Sequence, residues 1–251
     1  MISFIELGKF GRLGNQMFQV AATLSAARRA GTKALFPRGS QIESVFTLED
    51  CNFNDLISPE FAYFERSFEL DSNFTRIPDS CNLHGYFQSE KYFKDFNDDV
   101  IKNFSFRPDV RSKASQSLKR GEATCAVHVR RGDYVNLSEI HCFPGNDYYV
   151  SSMERVRSKF KNVRFLIFSD DIEWCRNSKM FERCDFSDAG LDSVEMCMMS
   201  MCKFHIIANS SFSWWGARLA DSDLTIAPSK WFGPGGPSNW SDVYCENWEV
   251  I

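Results

Sequence analysis

Ala123-Thr124-Cys125-Ala126-Val127-His128-Val129-Arg130-Arg131-Gly132-Asp133-Tyr134 opens the more legible half of the chain. Ala123–Val129 is apolar on both alternating faces, as a strand buried from both sides requires, and this pattern belongs to parallel sheets covered by helices. Two adjacent arginines end the run abruptly. Arginine is costly in a core, so the pair should leave the sheet at the strand's carboxyl end and face a site or solvent.

The flanking segments repeat the scheme. Asp147–Lys161 reads as a helix, Val163–Phe168 as a strand and Asp171–Asn177 as a short helix. Asp192–Cys202 follows as a helix with Leu191, Val194, Met198 and Met201 inward. Phe204–Ala208 is a strand, Ser211–Leu219 a helix and Leu224–Ala227 a last strand. Strand–helix alternation of this kind predicts an α/β unit. Upstream, Ile2–Leu7 reads as a buried strand, followed by a glycine-rich turn and a helix carrying Met17, Phe18, Ala21 and Leu24 that ends at Gly31. Ala34–Phe36 is the next strand. Residues 40–80 show no sustained period; Leu83–Phe87 suggests a strand and Glu90–Phe104 a helix. The break at Phe106-Arg107-Pro108-Asp109, with Pro108 starting a helix to about Lys119, places a domain boundary between 107 and 108. Two Rossmann-like domains, 1–107 and 108–251, facing a cleft are therefore expected, with ligands beyond the carboxyl ends of the strands.

Composition narrows the function. The 251 residues are 43% hydrophobic and 25% charged, ordinary for a globular chain, and the net charge of −4 argues against a nucleic-acid surface. The nine cysteines show no CxxC pair, and several lie in apolar runs, so they are expected as reduced core thiols. No apolar run approaches the roughly 20 residues of a membrane span. The opening residues carry neither a basic nor a long apolar leader segment. The expected location is cytoplasmic, with peripheral contact at the inner face of the membrane compatible with it.

Four motifs carry chemistry. In the first, the forks of Arg130 and Arg131 match phosphate oxygens bidentately, Gly132 permits a sharp turn, and Asp133 can fix an arginine or accept from a hydroxyl. A surface ion pair is the plain alternative. The second, Ser169-Asp170-Asp171, ends a strand. Its carboxylates can accept from a base, a ribose or an arginine, and Asp171 can equally cap the next helix. Paired aspartates also suggest a metal, but no carboxylate–histidine cluster accompanies them, and a metal-independent reading is preferred. The third, Asn209-Ser210-Ser211-Phe212-Ser213-Trp214-Trp215-Gly216-Ala217, is a strand end, small polar residues and a helix start. Hydroxyls, backbone N–H groups and the helix dipole converge there on an anion, unless the serines merely cap. One tryptophan is expected in the core and the other against the cleft. The fourth, Gly8-x-x-Gly11-x-x-Gly14-Asn15-Gln16, lacks the GxGxxG spacing of a dinucleotide fold and has no suitably placed acidic residue after the second strand.

Taken in order, Gly11–Gln19, His128–Tyr134, Ser169–Asp171 and Asn209–Ala217, with His141 and Tyr148-Tyr149 as a weaker match, resemble the α-1,2-fucosyltransferases of glycosyltransferase family 11. The resemblance implies a GT-B fold and inverting, metal-independent transfer of L-fucose from GDP-β-L-fucose, with no further cofactor. The expected acceptor is O2 of a terminal galactose on an oligosaccharide or lipid-linked glycan. By position, Arg130 would hold the diphosphate, with His128 and Asp133 near the donor. Asn209, Ser210, Ser211 and Phe212 would line the nucleotide pocket, Asp170 or Asp171 would approach the base or ribose, and Asn15 and Gln16 would approach from the N-terminal domain. Asp133, Glu139 and His141 are the candidate bases. Val20 and Arg218 depart from the family pattern. A GT-B transferase of another nucleotide sugar, or a non-catalytic nucleotide- or glycan-binding protein on this fold, are the alternatives.

Overall fold

A computed structural model describes residues 1–118, 123–135 and 137–251, with the backbone alone at Asp133. The chain divides into two compact α/β units. Met1–Arg107 with Asn239–Cys245 forms the first; Pro108–Ser238 with Glu246–Ile251 forms the second. The return of 239–245 to the first unit is absent from the linear division at 107/108.

The first unit is built on β1 (Ile2–Ser3), β2 (Ala34–Phe36), β3 (Cys51–Phe53), β4 (Phe61–Phe64) and β5 (Cys81–His84), with α1 (Leu13–Arg29) and α2 (Asn97–Ile101). Its sheet runs β3-β2-β1-β5-β4, every pair parallel. The expected strand Ile2–Leu7 is only two residues long. From Phe4 the backbone turns, with Leu7 N–H donating to Phe4 C=O and Lys9 N–H to Glu6 C=O, through Gly8 at φ +83°. α1 is buried almost all round by small and apolar residues, and Arg28 and Arg29 complement the dipole in its last turn. The single helix expected over Glu90–Phe104 is instead a series of short 3₁₀ turns around α2. Phe93 and Phe96 leave helical backbone angles while an aromatic core closes below, with Tyr92 edge-on to Phe74 at 4.8 Å and to Phe87 at 5.1 Å. Strands β3 and β4 arise in the stretch that shows no period.

The second unit contains α3 (Pro108–Ser117), β6 (Thr124–Val129), α4 (Asn146–Lys159), β7 (Arg164–Ser169), α5 (Ile172–Asn177), β8 (Asp185–Phe186), α6 (Asp192–Ser200), β9 (Phe204–Ile206), α7 (Ser211–Arg218), β10 (Leu224–Ala227) and β11 (Glu249–Val250). The expected end of α3 near Lys119 lies outside the described residues. The sheet is parallel throughout in the order β8-β7-β6-β9-β10-β11. This is the doubly wound arrangement whose strand order reverses once, between β6 and β9. All of β6 is buried.

Two expectations for the second unit are corrected. α6 buries Val194, Met196, Cys197, Met198 and Met199, whereas Leu191 and Met201, expected inward, are exposed. Both flank the helix, where the chain is leaving the face packed against α3 and α7. Trp214 and Trp215 are both fully buried, so neither lines a cleft. α7 is enclosed on opposite sides: the two indoles meet at 4.9 Å, Trp214 packs on Trp248 at 5.5 Å, and a Cβ at Gly216 would stand 2.9 Å from Met199 Cβ. All nine thiols are free, and burial pushes Cys51 and Cys202 up to about 12. No helix of the described residues is long and apolar enough to cross a membrane.

Candidate functional site

In a doubly wound sheet, the strands on either side of the order reversal diverge beyond their carboxyl ends and leave a crevice between their loops. In the second unit those ends are Val129, after which Arg130 and Arg131 follow, and Ile206, after which Ile207–Ser211 leads into α7. The first turn of α4 pins both. The Tyr149 hydroxyl donates to His128 C=O at 3.2 Å, and the Tyr148 hydroxyl is shared between the carbonyls of Ile207, at 2.7 Å, and Ile226, at 3.0 Å. The Tyr148-Tyr149 pair thereby anchors the site's backbone.

Arg130 Nη1 pairs with Asp170 Oδ2 at 3.0 Å, and the other oxygen of that carboxylate accepts Arg131 N–H at 2.9 Å. A Cβ on Gly132 would overlap Asp170 Oδ2, so glycine is required there for close approach. Arg131 turns away: its Nε reaches Asp171 Oδ2 at 3.3 Å, and its guanidinium lies 4.0 Å over the Trp174 ring. Asp171 Oδ1 also accepts Trp174 N–H, the capping role that its position before α5 predicts. Ser169 Oγ accepts Asp171 N–H at 3.0 Å. Asp170 and Asp171 thus act first as holders of the two arginines. Among the described residues no group of three or more His, Cys, Asp and Glu side chains is placed to hold a metal ion.

Arg130 sits over the ring of Tyr134 at 5.4 Å, and the Tyr134 hydroxyl donates to Asn209 C=O at 2.9 Å. One tyrosine therefore joins the loop after β6 to the loop after β9. His141 stacks on the same ring at 4.3 Å, the planes within 8°. Asn209 gives both amide hydrogens to carbonyls, of Cys142 at 2.9 Å and Trp231 at 2.8 Å, and its buried Oδ1 has no hydrogen-bond partner among the described residues. Ser210 caps α7 by accepting Phe212 N–H at 3.3 Å; Ser211 and Phe212 form the helix's first turn. Glu139 is exposed on a loop whose carbonyls accept Gly233 N–H and Gly235 N–H.

His128 lies in the middle of this arrangement. It is buried, its ring is 5.4 Å from Phe212, and its Nδ1 has no hydrogen-bond partner among the described residues. Burial, reinforced by the Arg130 charge, pushes its pKa down to about 3, so it is a neutral imidazole at working pH. His128 Nδ1 and Asn209 Oδ1 are thus two buried polar atoms left unsatisfied among the described residues, a state that needs a physical reason wherever it occurs.

The structure brings together Arg130, His128, Asp170, Asp171, His141, Asn209, Ser210, Ser211 and Phe212. The Asp133 side chain lies outside the described residues. Asn15 and Gln16 belong to the first unit, at the start of α1. Asn15 Oδ1 accepts Gln88 Nε2 at 2.8 Å, and the buried Gln16 accepts Ile42 N–H through Oε1 at 3.3 Å. Tyr134 and Trp174 are the site residues that motif reasoning passes over. Tyr134 closes the double-arginine motif and Trp174 stands three residues past Asp171, but their contacts with Asn209 and Arg131 are made only by the fold.

This arrangement has counterparts among known proteins. The chain is 34% identical to an α-1,2-colitosyltransferase of Escherichia coli, over 88% of this chain and 90% of that one. It is 26% identical to the O-antigen biosynthesis glycosyltransferase WbnK of the same organism, over 76% of this chain and 66% of that one. It is 25% identical to the mouse galactoside 2-α-L-fucosyltransferase Sec1, over 90% of this chain and 67% of that one. Among solved structures it resembles fucosyltransferase NodZ from Bradyrhizobium, with a TM-score of 0.59 at 14% identity over 95% of this chain and 96% of that one. It also resembles POFUT1 in complex with GDP-fucose, with a TM-score of 0.54 at 12% identity over 88% and 94%. These likenesses give the fold as GT-B type. With residues 5–251 matched by the model of glycosyl transferase family 11, the chain belongs to that family and is a glycosyltransferase.

Proposed function

We propose that the protein transfers L-fucose from GDP-β-L-fucose, with inversion and without a metal or further cofactor, to O2 of a terminal galactose on a glycan. The observation that carries this is the convergence, at the order reversal of the second sheet, of Arg130, the N-terminus of α7 and the neutral His128. A nucleoside diphosphate leaving group needs a fixed cation and N–H donors as its negative charge grows. Arg130, oriented by Asp170 and Tyr134, supplies the cation; Ser210, Ser211 and Phe212 supply hydroxyls and the helix start. Buried His128 and Asn209 are proposed to support the pocket wall, Asn209 by tying the loops of Cys142 and Trp231 to the start of α7. Asp170 and Asp171 approach base or ribose only through the arginines they hold.

In the transfer the acceptor oxygen attacks the anomeric carbon from the face opposite the phosphate. The anomeric C–O bond breaks, GDP departs with the electron pair, and the acceptor hydroxyl loses its proton. Asp133, Glu139 and His141 are proposed to receive that proton. His141 lies flat on Tyr134, the ring that Arg130 also overlies. Asn15 and Gln16 are proposed as further donor-binding residues through their remaining amide groups. The linkage rests on the α-1,2 relatives. The O-antigen relative supports a glycan acceptor, which we propose is lipid-linked and reached at the inner face of the membrane.

The colitosyltransferase relative favours a second reading, in which the donor sugar is colitose. The two sugars differ at the 3-hydroxyl. Thermal shifts with GDP, GDP-fucose, GDP-mannose and UDP-galactose test the donor. Turnover of GDP-fucose and GDP-colitose against a panel of β-galactosides, with the linkage read by NMR, tests the reaction. Stabilisation by GDP and faster turnover of GDP-fucose are expected. No GDP response removes the donor assignment, and preference for GDP-colitose replaces fucose by colitose. GDP binding without transfer favours a binding protein.

A further inference from the structure

In the sheet of the first unit β1 and β5 are neighbours although three strands separate them in the chain, and a second polar cluster sits at their carboxyl ends. Its hub is the buried Asn82 on β5. Asn82 Oδ1 accepts both the Ser3 hydroxyl at 3.0 Å and Ile5 N–H at 2.9 Å. A backbone N–H can only donate, so this atom is the oxygen and the other terminal atom is the NH₂. That NH₂ faces His84 Nε2 at 2.9 Å and Glu6 Oε2 at 3.4 Å. Nε2 is therefore an acceptor, the ring proton sits on Nδ1, and Nδ1 faces Glu6 Oε2 at 3.5 Å. Both contacts fall on the same carboxylate oxygen, and the Glu6 side chain remains 29% exposed.

Beside this oriented carboxylate lies an aromatic platform. Phe64 pairs with His84 across β4 and β5, and the two rings stack at 4.5 Å, within 10° of parallel. Phe64 is 61% exposed, so ring surface not covered by His84 is open to solvent. A flat aromatic face beside a carboxylate that is already held suits one class of ligand. The C–H face of a pyranose packs on the ring, and a hydroxyl donates to the carboxylate. The negative charge selects a neutral sugar over a uronic or sialic acid.

We infer that Glu6, His84 and Phe64 form a subsite for a neutral sugar of the acceptor glycan, with Glu6 accepting a hydroxyl hydrogen, Phe64 taking the ring face and His84 positioning both. This rests on the glycan-acceptor reading above.

The test is saturation-transfer NMR on the full chain in the presence of GDP, with methyl β-D-galactopyranoside, methyl β-D-glucopyranoside and methyl β-D-glucuronide as probes. Wild-type protein is expected to transfer saturation to at least one neutral glycoside and not to the glucuronide. Phe64→Ala and Glu6→Gln should each reduce that signal at least fivefold, and Phe64→Trp should restore it. GDP-induced thermal stabilisation should be unchanged in all three, which separates lost sugar contact from lost folding. No transfer to either neutral glycoside, equal transfer to the glucuronide, or unchanged signals in Phe64→Ala and Glu6→Gln would each overturn the subsite. Loss of the GDP response in the wild type would instead strike the donor reading.

Discussion

Asp170 fixes Arg130 with one carboxylate oxygen, at 3.0 Å, while the other oxygen holds the main chain of the very next residue, at 2.9 Å. The guanidinium and the turn that presents it are thereby set by a single side chain on the neighbouring strand end. Arg130→Ala should lower turnover by roughly 10²–10³-fold, the scale for removing one stabiliser of developing negative charge. Asp170→Asn should weaken GDP binding while leaving the thermal midpoint close to wild type. Steady-state kinetics and calorimetric titration with GDP check both.

Gly132→Ala should destabilise by about 1–3 kcal/mol, because its Cβ would overlap the Asp170 carboxylate. The double variant Gly132→Ala/Asp170→Ala removes the obstructing oxygens, so the two costs should not add. Urea titrations of the wild type and the three variants close the cycle; strict additivity would disprove the clash.

Tyr134→Phe deletes the bond to Asn209 C=O, worth about 1 kcal/mol when buried. Its larger effect should be kinetic, because that bond tethers the ring on which Arg130 and His141 both rest. The expected result is a modest drop in unfolding free energy with a disproportionate fall in kcat. Equal small changes in both would reduce Tyr134 to packing.

Acid should weaken the second unit through two histidines. Burial and the Arg130 charge lower His128 to about 3, and burial lowers His205 to about 4, against the ordinary value near 6.5. Below that ordinary value the unfolded chain binds protons that the folded chain refuses. Stability is therefore full above pH 6.5 and falls with decreasing pH, by up to about 1.4 kcal/mol per pH unit per histidine, until each folded pKa is reached. His205→Gln should flatten the slope between pH 6.5 and 4.5, measured by denaturant titration.

The second unit was legible from its alternation because β6, β7, β9 and β10 are largely apolar runs bounded by turn residues, whereas β8 and β11, two residues each and half acidic, carry no such signal. β6 and β7 fall within a residue or so of their expected limits. β3 and β4 were not, because both strands leave most of their residues partly or wholly exposed, and exposed edge strands carry no two-sided apolar signature. Trp214-Trp215 misled because adjacent helix residues face different ways, and only tertiary packing reveals that both directions are core. The double-arginine and Asn-Ser-Ser motifs were legible as polar segments following strands, where the structure places both. Their connector, Tyr134, needed the fold, since its partner carbonyl is 75 residues away. Glu6, His84 and Asn82 form no sequence motif at all; parallel pairing of β1 with β5 assembles them.

The segment 239–245 gives the first unit a late component. Asp242 accepts Leu70 N–H at 2.9 Å and pairs with Lys91 at 2.5 Å, yet it is translated after nearly all of the second unit. Nascent domains otherwise close in order from the N-terminus. Here the ribosome must deliver almost the whole chain before the earliest strands acquire their last support, and severing the gene at codon 107 would strand that support in the wrong fragment.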